Sequence, residues 1–237
     1  MKKFFKILLK TLVGLIGVFL LVFVVLYLIY NESVPEMKPS PEADMYANKM
    51  LNALNYDSYK QTRFLEWSFR NGAHRYLWDK ENGRVKVSWS TYEVNLHLTN
   101  KTYSTVFKNG IVVKGKEKNR LITKATTLFN NDSFWLVAPF KIFDKGTERS
   151  IITMKDGSRG LLVHYLEGGD TPGDVYLWRL NQDGTPKSYQ MWAKIIPIGG
   201  IEATWEEWTE MESGILLPQS HDLGPLTLDM GAIKAYN

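Results

Sequence analysis

Five Asn-Gly or Asp-Gly dipeptides, at 71–72, 82–83, 109–110, 156–157 and 183–184, separate stretches in which apolar and polar residues alternate. Asparagine, aspartate and glycine accept the positive φ that tight hairpin turns require, and strict alternation is the period of a strand with one buried face. Thus "RFLEWSFR" places Leu65, Trp67 and Phe69 on one side, and Val85, Val87 and Trp89 are followed in the same manner by Val94, Leu96 and Leu98. Asn82-Gly83, flanked by this alternation, is expected to form a two-residue turn. Strand follows strand without the βαβ rhythm of a parallel sheet. The pattern predicts a mainly β chain built on a large curved antiparallel sheet.

The apolar face of such a sheet must be covered, and two stretches have the period to cover it. After Pro41, "EADMYANKMLNALNYDSY" repeats apolar residues at Tyr46, Met50 and Leu54, beside Ala43, Ala47 and Leu51, which predicts a leading helix. Residues 117–132, "EKNRLITKATTLFNND", place Leu121, Ala125 and Leu128 on one face beside Phe129, which predicts a mid-chain plug helix. The glycine-rich "EGGDTPGD" at 167–174 opens a strand, "VYLWRL", rather than a helix. A phosphate cradle needs the helix and a calcium loop needs a different ligand spacing, so this stretch reads as a corner between two strands.

The first thirty residues stand apart. From Thr11 to Tyr30 there are twenty residues without a charge, about 30 Å of helix, which matches the hydrocarbon core of a bilayer. The run is longer than the apolar region of a cleavable signal and ends in Tyr27-Leu28-Ile29-Tyr30, so residues 1–30 read as an uncleaved transmembrane signal anchor. Lys2, Lys3, Lys6 and Lys10 precede the span, and Asn31, Glu32 and Glu36 follow it. The positive-inside rule then leaves the N-terminus in the cytoplasm and puts the remainder on the periplasmic side of a bacterial inner membrane. Residues 31–41, with Pro35, Pro39 and Pro41, are expected to be a stiff tether holding an exported domain, 42–237, off the bilayer. The four N-terminal lysines account for the whole net charge of +4, so the exported part is neutral and carries no nucleic-acid footprint. With no cysteine in the chain, the domain rests on its hydrophobic core rather than on disulfides.

Catalytic patterns are sparse. His97 alternates with Leu96 and Leu98 and so points off the apolar face, whereas His164 shares the parity of Leu162. His221 has Ser220 and Asp222 as direct neighbours, and adjacent strand residues face opposite ways, so the trio is not itself a triad. Glu206 and Glu207 are separated by the same rule. There is no G-x-S-x-G elbow and no H-E-x-x-H motif. No enzyme, metal or cofactor is expected, and a hydrolase using His164 or His221 is the third reading.

The aromatic residues say more: eight tryptophans, twelve tyrosines and eleven phenylalanines, many within strands, either fill a core or line an apolar cavity. The order of leading helix, strand meander, mid-chain helix and further strands over residues 42–237 resembles the LolA/LolB-like superfamily of bacterial lipoprotein carriers. "NDSFWLVAPFKIFDKGT" (131–147), "GGDTPGDVYLWRL" (168–180) and "SYQMWAKIIPIGGIEATWEEW" (188–208) are similar to a Bacteroidota-type branch of such proteins. The resemblance implies an incomplete barrel whose helices plug the concave side over a hydrophobic cavity, and a lipid or lipoprotein acyl chain as ligand. The candidate lining residues are Phe134, Trp135, Phe140, Tyr176, Trp178, Met191, Trp192, Trp205 and Trp208. Phe134 and Trp135, taken as strand neighbours, are not both expected to face inward. An anchored domain does not shuttle, so the implied role is local lipid or lipoprotein handling. The alternative is a structural or interaction domain with a filled core that docks an envelope partner.

Overall fold

The computed structural model describes residues 2–237; Met1 and the side chain of Lys2, one of the four flanking lysines, lie outside the described residues. Helix α1 (Lys2–Tyr30) carries the apolar run; its most apolar 18-residue window has mean hydropathy 3.1 and is 0% buried. It is long and apolar enough to cross a membrane. Helix α2 (Pro41–Ala53) starts where Ser40 Oγ accepts from Ala43 N (3.2 Å), with Pro41 preset for the first turn and Glu42 and Asp44 at the positive end of the dipole. The expected leading helix is broken at Asn55, which takes the left-handed conformation (φ 57°) that asparagine tolerates, and α3 (Tyr56–Gln61) follows.

Strands β1 (Phe64–Phe69), β2 (His74–Asp79), β3 (Arg84–Trp89), β4 (Tyr92–His97), β5 (Thr105–Lys108) and β6 (Ile111–Val112) form an antiparallel meander. All five Asn-Gly and Asp-Gly positions fall in hairpin connections. The turn at Asn82-Gly83, however, is not the expected two-residue one: Asp79 pairs with Arg84, leaving a four-residue loop. Only Gly83 (φ 58°) has a positive φ there, because Asp79 accepts from both the backbone and the side-chain nitrogen of Asn82 and holds it. The two-residue geometry occurs at Asn109-Gly110 (φ 49° and 77°), where Lys108 pairs with Ile111.

Helix α4 (Gly115–Val137) then crosses the concave side, and β7 (Thr147–Thr153), β8 (Arg159–Tyr165), β9 (Asp174–Leu180), β10 (Pro186–Trp192) and β11 (Ile201–Thr204) make a five-stranded sheet. The chain runs on through Trp205 into β12 (Glu206–Glu210), which with β13 (Leu216–Asp222) and β14 (Thr227–Asp229) forms a third sheet. Finally β15 (Lys234–Tyr236) returns to the free edge of β1, giving a seven-stranded sheet in the order β15-β1-β2-β3-β4-β5-β6. The fold is mainly β and antiparallel, as expected, with the one large sheet divided into three and no closed barrel. Trp205 N donates to Lys187 O (2.7 Å) and Ser68 N to Met230 O (3.1 Å), so the small sheet is linked to both large ones.

One core joins these layers. Ala43, Ala47, Met50 and Leu51 of α2, Leu121, Ala125 and Phe129 of α4 and the inward residues of all three sheets belong to it. Arg149 Nε donates to Asp44 Oδ1 (2.5 Å) and Arg159 to Glu42 (2.6 Å), which clamps α2 across β7 and β8. A smaller cluster, Leu162, Val175 and Leu177, lies on the opposite face of the five-stranded sheet. The 31–41 segment touches the domain on that side. Met37 packs against the cluster, Pro39 bridges to Ser150, and Glu32 bonds to the β10–β11 loop. Its prolines supply the extended backbone a strap needs as readily as that of a spacer.

Candidate functional site

Helix α4 brings most of the candidate residues together. It runs to Val137, five residues past the expected end, because Leu121, Ala125, Phe129, Ser133 and Val137 continue a buried face at every fourth position. Phe134 and Trp135 are therefore helical rather than strand neighbours, and both lean on the same core. Phe134 meets Tyr165 and Tyr176, with ring centroids 5.6 and 4.9 Å away, and Trp135 meets Tyr189 at 5.6 Å. Trp178 packs edge-on against Tyr189 and Trp205, both at 4.9 Å, and Trp205 stacks on Trp208 at 6.0 Å. Met191 is buried in the same cluster, and Phe140 reaches it from the turn after α4, stacked on Tyr59 at 4.1 Å. Trp192 is the exception: it belongs to the cluster on the outer face, and its Nε1 donates to Glu32 O (2.8 Å).

Trp178 and Trp205 are 0% exposed and Tyr189 is 1% exposed. Burial pushes the Tyr165, Tyr176 and Tyr189 hydroxyls far above the ordinary phenol range, with the Asp174 carboxylate adding to the effect at Tyr176. Among the described residues, the Tyr165 hydroxyl and the Trp178 and Trp205 indole nitrogens are buried without a hydrogen-bond partner.

Two polar groups pierce this core. His221 is wholly buried between Trp205 (4.4 Å) and Trp135 (5.3 Å), and its ring nitrogens lie 2.9 Å from Thr204 O and 2.7 Å from Trp135 O. It joins β13 to the end of β11 and to a carbonyl in the last turn of α4 that lacks a helical partner. Burial pulls its pKa down to about 4, against the two carbonyls and Asp222, which favour the charged ring. A neutral ring donates to only one of those carbonyls. Ser220 and Asp222 bond elsewhere, to Glu207 and Thr227. His164 pairs with Val175 on the opposite face of the five-stranded sheet, so the two histidines do not share a site.

The second group was not legible as a motif. Asp132, 1% exposed on α4, accepts from Tyr76 OH (2.5 Å), from Asn131 Nδ2 (2.8 Å), and lies 2.7 Å from His74 Nδ1. A buried carboxylate that orients a histidine is half of a general-base arrangement. Among the described residues no hydroxyl nucleophile bonds to His74, and no group of three potential metal ligands occurs. Its legible trace was polarity out of place: an acidic residue on the buried stripe of an amphipathic helix.

The glycine-rich corner joins β8 to β9, with Gly168, Gly169 and Gly173 at positive φ. Asp174 accepts from Thr171 Oγ1 (2.5 Å) and from Lys194 N (3.0 Å), which pins this corner to the β10–β11 loop. A groove of about 570 Å³ lies elsewhere, between β12 and β15, lined by Thr209, Met211, Gln219, Ile233 and Lys234 among others. No protein-family model and no curated protein matches the chain.

Proposed function

We propose that this chain is a membrane-anchored module that works through its outer surface, its concave face being occupied by its own side chains. In this reading α1 crosses a bacterial inner membrane with its lysines in the cytoplasm, and the domain faces the periplasm to dock an envelope partner. The observation that supports it is the mutual packing of Trp178, Tyr189, Trp205 and Trp135 where a ligand would otherwise lie. The full chain in detergent micelles tests it. If Trp178 is core, Trp178→Ala lowers unfolding stability by about 3–5 kcal/mol, read from denaturant titration. If Trp178 lines a cavity, the same change costs little.

A second reading, a lipid or lipoprotein acyl chain among these aromatics, draws on the unpartnered Tyr165, Trp178 and Trp205 polar atoms, for which the ester oxygens of such a ligand, not its hydrocarbon, would be the acceptors. Mass spectrometry of chain purified from membranes decides between them. A stoichiometric lipid that Trp178→Ala loses establishes the second reading, and its repeated absence leaves the first.

A further inference from the structure

The β10–β11 loop is joined to the first residues after α1. Gly199 N donates to Asn31 Oδ1 (2.8 Å), and Glu32 N donates to Gly199 O (3.0 Å). Asn31 N in turn donates to Tyr27 O (2.9 Å), so one residue belongs both to the last turn of the helix and to the loop's attachment. Given an α1 that spans a bilayer, this fixes where the membrane surface falls on the domain. The uncharged run ends at Tyr30, so Asn31 and Gly199 lie in the headgroup layer, roughly 5–7 Å deep on each side of the hydrocarbon core.

What the domain presents there is apolar. Ile195, at the tip of the loop, is 68% exposed, with exposed Pro197 two residues on. The order β11-β10-β9-β8-β7 puts the β8–β9 corner and the approach to β7 at the same end of the sheet, where Leu166 and Phe143 are exposed. Adjacent strands are about 4.8 Å apart, so Leu166, at the end of β8, is about 10 Å from the end of β10. Charges on these loops nearly cancel: Lys141, Lys145 and Lys194 stand against Asp144, Glu167, Asp170 and Asp174, with Lys141 paired to Asp144 and Lys145 to Glu167. The half-buried Trp192 ring stands beside the attachment, as amphipathic aromatics do at membrane interfaces.

We infer that this end of the five-stranded sheet is seated in the headgroup layer of the membrane that α1 crosses, with Ile195 as its deepest side chain and the lipid surface as its partner. The inference rests on the anchored reading above and deepens it: the domain is held against the bilayer rather than away from it.

The absence of cysteine makes single-site labelling clean. Three full-length variants, Val18→Cys in α1, Ile195→Cys and Lys155→Cys, are labelled with a nitroxide in vesicles of phosphatidylcholine and phosphatidylglycerol. Lys155 lies in the turn at the far end of β8, about 20 Å from the loop end by strand rise. All three side chains are exposed, so labelling does not disturb the core. Accessibility to a water-soluble nickel chelate is expected to fall at least about fivefold at 195 relative to 155, with oxygen accessibility rising, as for a side chain at the acyl boundary. If position 18 is in lipid but 195 is as accessible to nickel as 155, the inference is overturned and the anchor stands. If position 18 is itself accessible to nickel, the anchor reading falls and the inference falls with it.

Discussion

His221 is a titratable ring held where a charge is costly. An unperturbed histidine titrates near 6.5, whereas burial holds this one at about 4. Between those values the unfolded chain binds a proton that the native state refuses, so native stability rises with pH across the window. It is complete near pH 7 and is lost as pH falls from about 6.5 towards 4, by about 3 kcal/mol in total. Chemical denaturation of the full chain at several pH values checks this, and His221→Phe should flatten the slope while lowering stability at neutral pH. Asp132 makes a different prediction. Asp132→Ala leaves the Tyr76 hydroxyl and His74 without their acceptor and should cost about 2–3 kcal/mol. Adding Tyr76→Phe should recover part of that loss in a double-mutant cycle. Neither role was visible in the residue types: His221 was recognisable only as a histidine that its neighbours cannot serve.

Among the elements, the strands were legible because alternation and turn dipeptides are local signals. Leu65, Trp67 and Phe69 are buried as their parity requires, and Tyr176 and Trp178 share one face while Val175 and Leu177 share the other. The C-terminal end of α4 was not legible, because "SFWLV" is composed of residues that suit a strand equally well, and only packing against the sheet settles its period. The strap over residues 31–40 was illegible for the opposite reason: proline-rich extended chain looks the same whether docked or free. Its docking can be tested at Gly199. A Cβ there would lie 2.5 Å from the Trp192 ring and 2.8 Å from Glu32 O, so Gly199→Ala should release the strap. Amide exchange should accelerate over residues 32–40 while the strands of the seven-stranded sheet stay protected.

At the scale of the whole molecule, the chain's division into three sheets comes from places where alternation pauses. Trp205 lies between β11 and β12, and Glu207 takes a left-handed φ of 55° in the β12 strand, so the path bends without a turn dipeptide to announce it. The pairing of β15 with β1 joins residues at opposite ends of the domain, which no local pattern encodes. The nine cavity candidates, eight aromatic residues and Met191, were chosen by side-chain type, and the fold sorts them by face, placing all but Trp192 in or against the main core. The attachment through Asn31 has a mechanical consequence. A helix and a domain that share a hydrogen-bonded residue have no swivel between them. Helices longer than the local hydrocarbon thickness tilt to fit it, so, given an α1 that spans a bilayer, in thin bilayers it should lean and carry all three sheets with it. The height of a label at Lys155 above the lipid should then vary with acyl-chain length, turning membrane thickness into the pose of the domain.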